Sequence, residues 1–460
     1  MALMGRQFIK ETFSDSVFIR KLFHLALPIA FQNFMLACVA ASDTIMLGML
    51  EQNAMAAVSL ASQIQFVQNV TVSGVVAALQ ILGAQYAGRG DKKTLDKIFC
   101  MSFRISVIIS AIFAYLCFFT PATLMRILTN QDILVTLGVD YLKVAAVSYL
   151  ITGISQPLIS LIKLGENTPA VAKISTTAVV LNIALNGVFI FGLFGFPALG
   201  IEGAALATVI SRIVELILSL YYAYKDSFTR PDFTRLFYFN KELSKDFVKQ
   251  LMPLMGAYVF WTVGFASYSA FMGHISLDAA AANSVASVVR NLVSCFMRGL
   301  AGGAAILVGY DLGAGNLQRA KVYGDRLTFL SVVCGAISCA LILLSIMPAL
   351  KIVHLSAGAE KDFITIASIL SLYIIGAAFN SVVINGMFAS GGDTLFDFYS
   401  IMITMWCIAI PIAALGTFVF SWPVAIVYGC TCLDEVGKIP WTFYHYRKYK
   451  WLKDLTRDQE

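Results

Sequence analysis

The sequence predicts an all-α polytopic membrane protein, with twelve transmembrane helices in two parallel six-helix repeats. Three observations predict it: an apolar composition, twelve runs long enough to cross a bilayer, and a stretch of sequence that returns at a fixed interval. Of 460 residues, 58% are hydrophobic and 13% charged, with a mean hydropathy of +0.78, whereas soluble chains are about 45–50% apolar. No long polar block interrupts the pattern, so function has to be built from spans and short loops. The net charge of +6 is no sign of nucleic-acid binding, because Lys and Arg gather in inter-span loops and at the termini.

Runs of about 20 residues cover ~30 Å of hydrocarbon as helices. They fall near 23–48, 55–82, 98–125, 137–163, 170–195, 203–224, 248–273, 279–308, 327–350, 363–388, 395–416 and 419–440. The first lacks a small-residue cleavage site and is read as a retained span. Basic residues alternate between loops. Arg6, Lys10, Arg20 and Lys21, then Arg89 to Lys97, the connector Lys225 to Lys249, Arg319 to Arg326 and the tail from Arg447 fall on one side. The other side holds little beyond Arg126, Lys351 and Lys361. The positive-inside rule therefore puts both termini in the cytoplasm. Nine cysteines lie almost all within apolar runs without disulfide or zinc spacing, and read as small packing residues.

The repeat begins with Ala41 to Gly48, ASDTIMLG, which returns 225 positions later as Ala266 to Gly273, ASYSAFMG. Ala, Ser and Gly recur, but the acid does not: Asp43 stands opposite Tyr268. At the same offset Pro28 meets Pro253, Asn53 to Ser62 meets Asp278 to Ser287, Gly74 meets Gly299, and Gly88 and Gly90 meet Gly313 and Gly315. One residue further on, Gly165 to Thr168 meets Gly391 to Thr394. Six spans per half, an even number, bring the second half in with the orientation of the first. The expected organisation is an N-terminal lobe 1–224, a basic cytoplasmic linker 225–247, a C-terminal lobe 248–446 and a cytoplasmic tail 447–460. In secondary transporters built from such parallel repeats the substrate path lies between the lobes.

ASDTIMLG in span 1, GAQYAGRGD after span 2, LNIALNGVFIFG and GIEGAALAT in spans 5 and 6, VGYDLGAGN after span 8 and ASGGDT near the end of span 10 together resemble the multidrug and toxic compound extrusion (MATE) transporters. The resemblance covers nearly the whole chain. It implies a two-lobed, twelve-helix antiporter that exports organic, often cationic and hydrophobic, compounds against H+ or Na+ across the plasma (inner) membrane. Such a protein is no enzyme and uses no cofactor. Its partners are a small organic molecule and the lipid bilayer, and it is expected to be a monomer.

An acid in a bilayer-length run is costly and usually faces protein or water, so Asp43 asks for a function. Low-dielectric surroundings favour the neutral form of a carboxyl group, which suits one that exchanges a proton. Asn182 and Asn186 are spaced i, i+4 and share a helix face. By resemblance, they and Thr208 lie beside Asp43, and this set of hard oxygen ligands also suits Na+. In the second lobe Asp393 matches the family's acid near the end of span 10, and Asn380 is a further candidate for a polar site there. The NorM branch carries a glutamate eight residues after the span-7 proline, where this chain has Trp261. That departure shifts the expected coupling toward Asp43.

Met35, Met46, Tyr258, Trp261, Phe265 and Tyr268 are candidates to line a cavity for flat cations by cation–π and dispersion contacts; ordinary helix packing is the alternative. Arg212 with Glu215, and the pair Asp434-Glu435, suggest ion pairing between helices. Arg290 and Arg298 either pair with those acids or face the cavity. Facing the cavity, they would suit an anionic metabolite, while a flippase for a lipid-linked saccharide would need several such cations. An intramembrane enzyme would need a constellation that His24, His274, His354 and His445 do not form.

Overall fold

A bilayer offers the backbone no hydrogen-bond partner, so each apolar run has to satisfy its own N–H and C=O groups and becomes a helix. The computed structural model describes residues 12–48, 52–238, 240–353 and 355–457, without the side chains at 40, 41, 43–45, 47, 48 and 52. The first six spans are α1 (Ser16–Gly48), α2 (Gln52–Arg89), α3 (Lys92–Phe119), α4 (Asp132–Leu164), α5 (Thr168–Phe191) and α6 (Gly200–Lys225). The next five are α7 (Lys241–Ile275), α8 (Leu277–Gly313), α9 (Leu317–Ile352), α10 (Ala357–Phe388) and α11 (Thr394–Phe418). The twelfth, α12, is broken into Val424–Thr431, Leu433–Val436 and Lys438–Arg447.

Most helices extend past the apolar runs, the first starting at Ser16 and α9 at Leu317. Helix α7 starts at Lys241, inside the stretch expected to be linker. A bend separates the last two apolar runs: Ser421 adopts φ +48°, and the Trp422 N–H caps Gly416 O at 2.8 Å. Polar residues at the ends start several helices, as capping requires. Asp91 accepts the Thr94 N–H at 3.0 Å ahead of α3, and Ser276 accepts that of Ala279 at 2.9 Å ahead of α8. Large apolar side chains stay on the outside, among them Ile112 and Phe119 on α3 and Leu344 and Met347 on α9. In a bilayer such a surface meets lipid.

The described residues form two compact units. One contains the chain up to Phe31, Ala84–Gly90 and everything from Met252; the other contains Gln32–Gly83 and Asp91–Leu251. The first unit is centred on apolar side chains of α8, α9 and α10, such as Leu307, Leu327 and Met387, with Leu22 and Leu25 of α1 packed among them. In the second, Ala145, Tyr149 and Ala205 of α4 and α6 close on Ala61 of α2 and Cys117 of α3.

Several turn hydrogen bonds recur at the repeat offset. After α2 the Gly90 N–H reaches Ala87 O at 3.0 Å; after α8 the Gly315 N–H reaches Leu312 O at 3.1 Å. After α4 Asn167 N–H meets Ile162 O at 3.2 Å, and after α10 Asp393 N–H meets Phe388 O at 2.9 Å. The turn after α10 uses Gly392 at φ +76°, where the turn after α4 forces Glu166 to φ +57°, a left-handed conformation that glycine adopts at less cost.

Inside the first unit, the ends of α2 and α8 approach each other reciprocally. A Cβ on Gly88 would lie 2.1 Å from Tyr310 O, and one on Gly313 would lie 1.9 Å from Gln85 O. Gln85 and Tyr310 are themselves 225 apart, like Gly88 and Gly313, so the two contacts are equivalent under the repeat. The last residues of the chain then fasten this end. The wholly buried Gln85 donates to Ser390 O at 2.5 Å and Lys453 O at 3.1 Å, and accepts the Leu455 N–H at 2.6 Å. Arg89 donates to Thr456 at 3.0 Å, and Trp451 is fully buried against Tyr446.

The second half departs from regular α geometry where the first does not. Ser381–Phe388 of α10 and Met402–Ala409 of α11 are π-helical, and α12 breaks at Cys432 and Gly437. Helices α4, α5 and α6 are continuous. Wide turns of this kind concentrate at functional sites.

Candidate functional site

Helix α5 carries Asn182 and Asn186 on one face, and both are buried, at 4% and 0% exposure. The Asn186 amide donates to Asn182 Oδ1 at 3.4 Å, the Asn182 amide donates to Thr208 Oγ1 on α6 at 3.4 Å, and the Thr208 hydroxyl donates to Ala204 O at 3.0 Å. The structure thus joins three of the four sequence candidates in one polarised chain. Asp43 lies in α1, but its side chain is outside the described residues. Three positions on, the Met46 methyl lies 3.9 Å from where a Cβ on Gly187 would stand. Helix α1 therefore reaches α5 at the residue after Asn186.

Glu215 of α6 is a satisfied buried acid. Arg212 reaches it at 2.7 Å, Ser155 of α4 donates at 3.0 Å and Gln156 at 3.4 Å. Leaving such a carboxylate without its cation would cost about 3–5 kcal/mol, so Arg212 completes a structural pair.

In the second half, helix α7 lines up Trp261, Phe265 and Tyr268, with ring centroids 4.9 Å and 5.6 Å apart. The Arg290 guanidinium of α8 lies 3.9 Å from the Phe265 ring centre. Phe265, Tyr268, Asn283, Ser287, Arg290 and Tyr373 line a cavity together. Tyr258 neighbours Asp397 instead, and the half-buried Met35 belongs to the other compact unit. Arg298 lies on an exposed part of α8.

The two second-half polar candidates have separate partners. Asn380, at the start of the π turn in α10, donates to the Glu435 carbonyl and carboxylate, both at 2.8 Å. Asp393 meets His445 at 2.6 Å, where that ring stacks on Phe396. Sequence reasoning missed Lys438, which is 3% exposed and bonds Glu435 at 2.9 Å. Its i, i+3 spacing from Glu435 and i, i+4 spacing from Asp434 were readable, without choosing between the two acids. It also missed Tyr373, Asn283 and Ser287, whose residue types carry no sign of a cavity. His354 is outside the described residues, and among those described no group of three His, Cys, Asp or Glu is arranged around a metal ion.

Buried polar chains and an aromatic, cation-bearing cavity inside a twelve-span helical chain define the multi-pass secondary transporters. The family model MatE matches residues 28–188 and 253–415, and the chain belongs to that family of multidrug efflux transporters, which are not enzymes. It is 24% identical over 435 residues to an uncharacterised transporter, YisQ, of Bacillus subtilis, covering 94% of this chain and 95% of that one. It is 26% identical to a probable multidrug resistance protein NorM of Bacillus anthracis, over 69% of this chain and 70% of the relative. Its fold matches that of a multidrug resistance MATE family transporter of the MOP superfamily in the outward-facing conformation, with a TM-score of 0.85 at 17% identity, over 94% and 96% of the two chains. It also matches that of a Pyrococcus furiosus MOP superfamily transporter, described as having a binding pocket of reverse polarity, with a TM-score of 0.84 at 16% identity over 94% and 95%.

Proposed function

We propose that this transporter exports organic, hydrophobic and cationic compounds in exchange for a cation moving inward, and that the exchange is driven at the first-half site of Asp43, Asn182, Asn186 and Thr208. The observation that carries the reading is the buried chain Asn186–Asn182–Thr208, reached by α1 beside Gly187. Amide and hydroxyl oxygens suit a hard cation by their chemistry, so both H+ and Na+ are compatible with these donors. The proton is favoured. One carboxylate among neutral amides compensates a sodium ion poorly, whereas in a desolvated setting it takes up a proton readily.

Filling the site would neutralise a buried charge and emptying it would restore one, so occupancy biases the lobe between two packings. In this reading residues 1–224 and 248–446 act as the two lobes, joined by 225–247. Trp261 and Tyr268 offer flat faces to a cationic substrate; the Phe265 face is taken by Arg290, whose charge is opposed by Asp434. The protein works as a monomer in the plasma (inner) membrane with both termini in the cytoplasm. The test is transport in proteoliposomes with a panel of fluorescent organic cations, under an imposed pH or sodium gradient. Efflux driven by a pH gradient alone is expected, and efflux under neither gradient would refute the reading.

A further inference from the structure

We propose that Asp434 is a second proton-binding site of this transporter, in the C-terminal half between α7, α10 and α12. The proposal goes beyond the first-half reading and does not depend on it. It starts from a comparison of the two halves. Ser155 lies 225 positions before Asn380, and Glu215 and Glu435, 220 apart, each bond to their own member of that pair. In the first half Ser155 and Arg212 hold Glu215; in the second, Asn380 and Lys438 hold Glu435. Each glutamate has its hydrogen-bond donor and its cation. Asp434 is the surplus acid, because the residue before Glu215 is Val214.

The side chain of Asp434 is buried, at 1% exposure, and neither carboxylate oxygen has a hydrogen-bond partner. Two further oxygens nearby are in the same state, Asn380 Oδ1 and the Tyr268 hydroxyl. Asn380 is fixed by its amide nitrogen on Glu435, and Tyr268 lies close to Asp434 without reaching hydrogen-bond geometry. Carboxylate and amide oxygens only accept, so the cluster has more acceptors than donors. A proton on Asp434 supplies the missing donor.

The charges agree with that count. Facing Asp434 are Glu435, Lys438 and Arg290, with Tyr268, Tyr373, Tyr428 and Cys432 as the neutral titratable groups; Asp397 faces Lys438 from α11. Three carboxylates stand against two cations, leaving one negative charge uncompensated, and burial makes such a charge costly. Glu435 is held by Asn380 and Lys438 and Asp397 faces Lys438, whereas neither Asp434 oxygen has a hydrogen-bond partner, which makes Asp434 the acid placed to take the proton. The residue that occupies the repeat position of Asp43 is Tyr268, so α12 brings an acid to the place where α7 lost one. The π turns of α10 and α11 and the breaks of α12 at Cys432 and Gly437 surround it, and irregular turns of this kind let helices rearrange.

Infrared difference spectroscopy of the full-length protein, titrated with pH in sodium-free buffer, reads the proton directly. Wild type is expected to show a protonated carboxyl band that is absent from D434N and retained in D43N, with proton uptake lower by about one per chain in D434N. Y268F, which keeps the acid and removes its neighbouring hydroxyl, is expected to shift the band, and serves if D434N does not fold. A wild type without the band, or a band unchanged in folded D434N or in Y268F, overturns the proposal. Loss of the band on adding sodium at constant pH also overturns it, in favour of a sodium site. If D43N instead keeps full gradient-driven efflux, the first-half reading fails and this one stands.

Discussion

Asp15, just ahead of α1, accepts the Phe18 N–H at 3.0 Å and the Arg326 guanidinium at 2.5 Å. The backbone donor first and the arginine second hold its pKa below the ordinary carboxylate value. A depressed pKa contributes stability above the unfolded-state value of about 3.9, and that contribution disappears as pH falls through the folded value. D15N should therefore melt earlier than wild type at pH 7, by no more than about 1 kcal/mol for so exposed a pair. The two should melt together in acid well below that range; a gap that persisted there would exclude this pair as the cause. At Asp43 the effect is on function. D43N should insert and fold normally yet lose gradient-driven efflux, with N186A impaired and D393N affected less, as read in proteoliposomes. Wild-type transport by D43N would end the assignment of coupling to the first half. These residues differed in how well the sequence revealed them. The i, i+4 spacing put Asn182 and Asn186 on one face, but only the packing of α6 brought Thr208 to Asn182. Nothing in the pair Asp434-Glu435 told which acid Lys438 would take.

At the scale of elements, the approach of α2 to α8 depends on two glycines. A Cβ at Gly88 or Gly313 meets a backbone oxygen, at 2.1 Å and 1.9 Å, and a backbone atom cannot rotate away as a side chain can. G88A and G313A should each destabilise the protein by about 1–3 kcal/mol. Gly273 has open space around its missing Cβ, so G273A is the control and should melt like wild type. Equal melting of all three variants would show that the close approach is not needed. The sequence made these glycines conspicuous through the 225-residue offset, though not what they touch. The π turns of α10 and α11 were not legible, because apolar runs look alike at 3.6 and at 4.4 residues per turn, and the extra residue is selected by tertiary packing. The break of α12 at Gly437 had a readable cause in Pro440, which has no N–H for Val436 O, while the break at Cys432 had none.

For the whole molecule, hydropathy made the spans readable, because it is a property of long stretches and tolerates local irregularity. The topology expected from the basic loops is testable with reporters placed after Glu460 and near Lys241: both should be cytoplasmic, and either one outside would overturn the orientation. Polar and basic composition hid the fact that residues 447–457 are part of the fold, yet Gln85 at the end of α2 finds partners in Lys453 and Leu455, and the latter bond spans 370 residues. Residues leave the ribosome in order, so this amide waits for these partners long after α2 itself has been made. A chain stopped before Lys453 would carry every span and still bury a polar group stripped of two of its bonds, at a cost of about 1–3 kcal/mol. The stability of the second helix is thus tied to a segment 370 residues away in sequence, and a copy truncated before Lys453 should melt below one that keeps it.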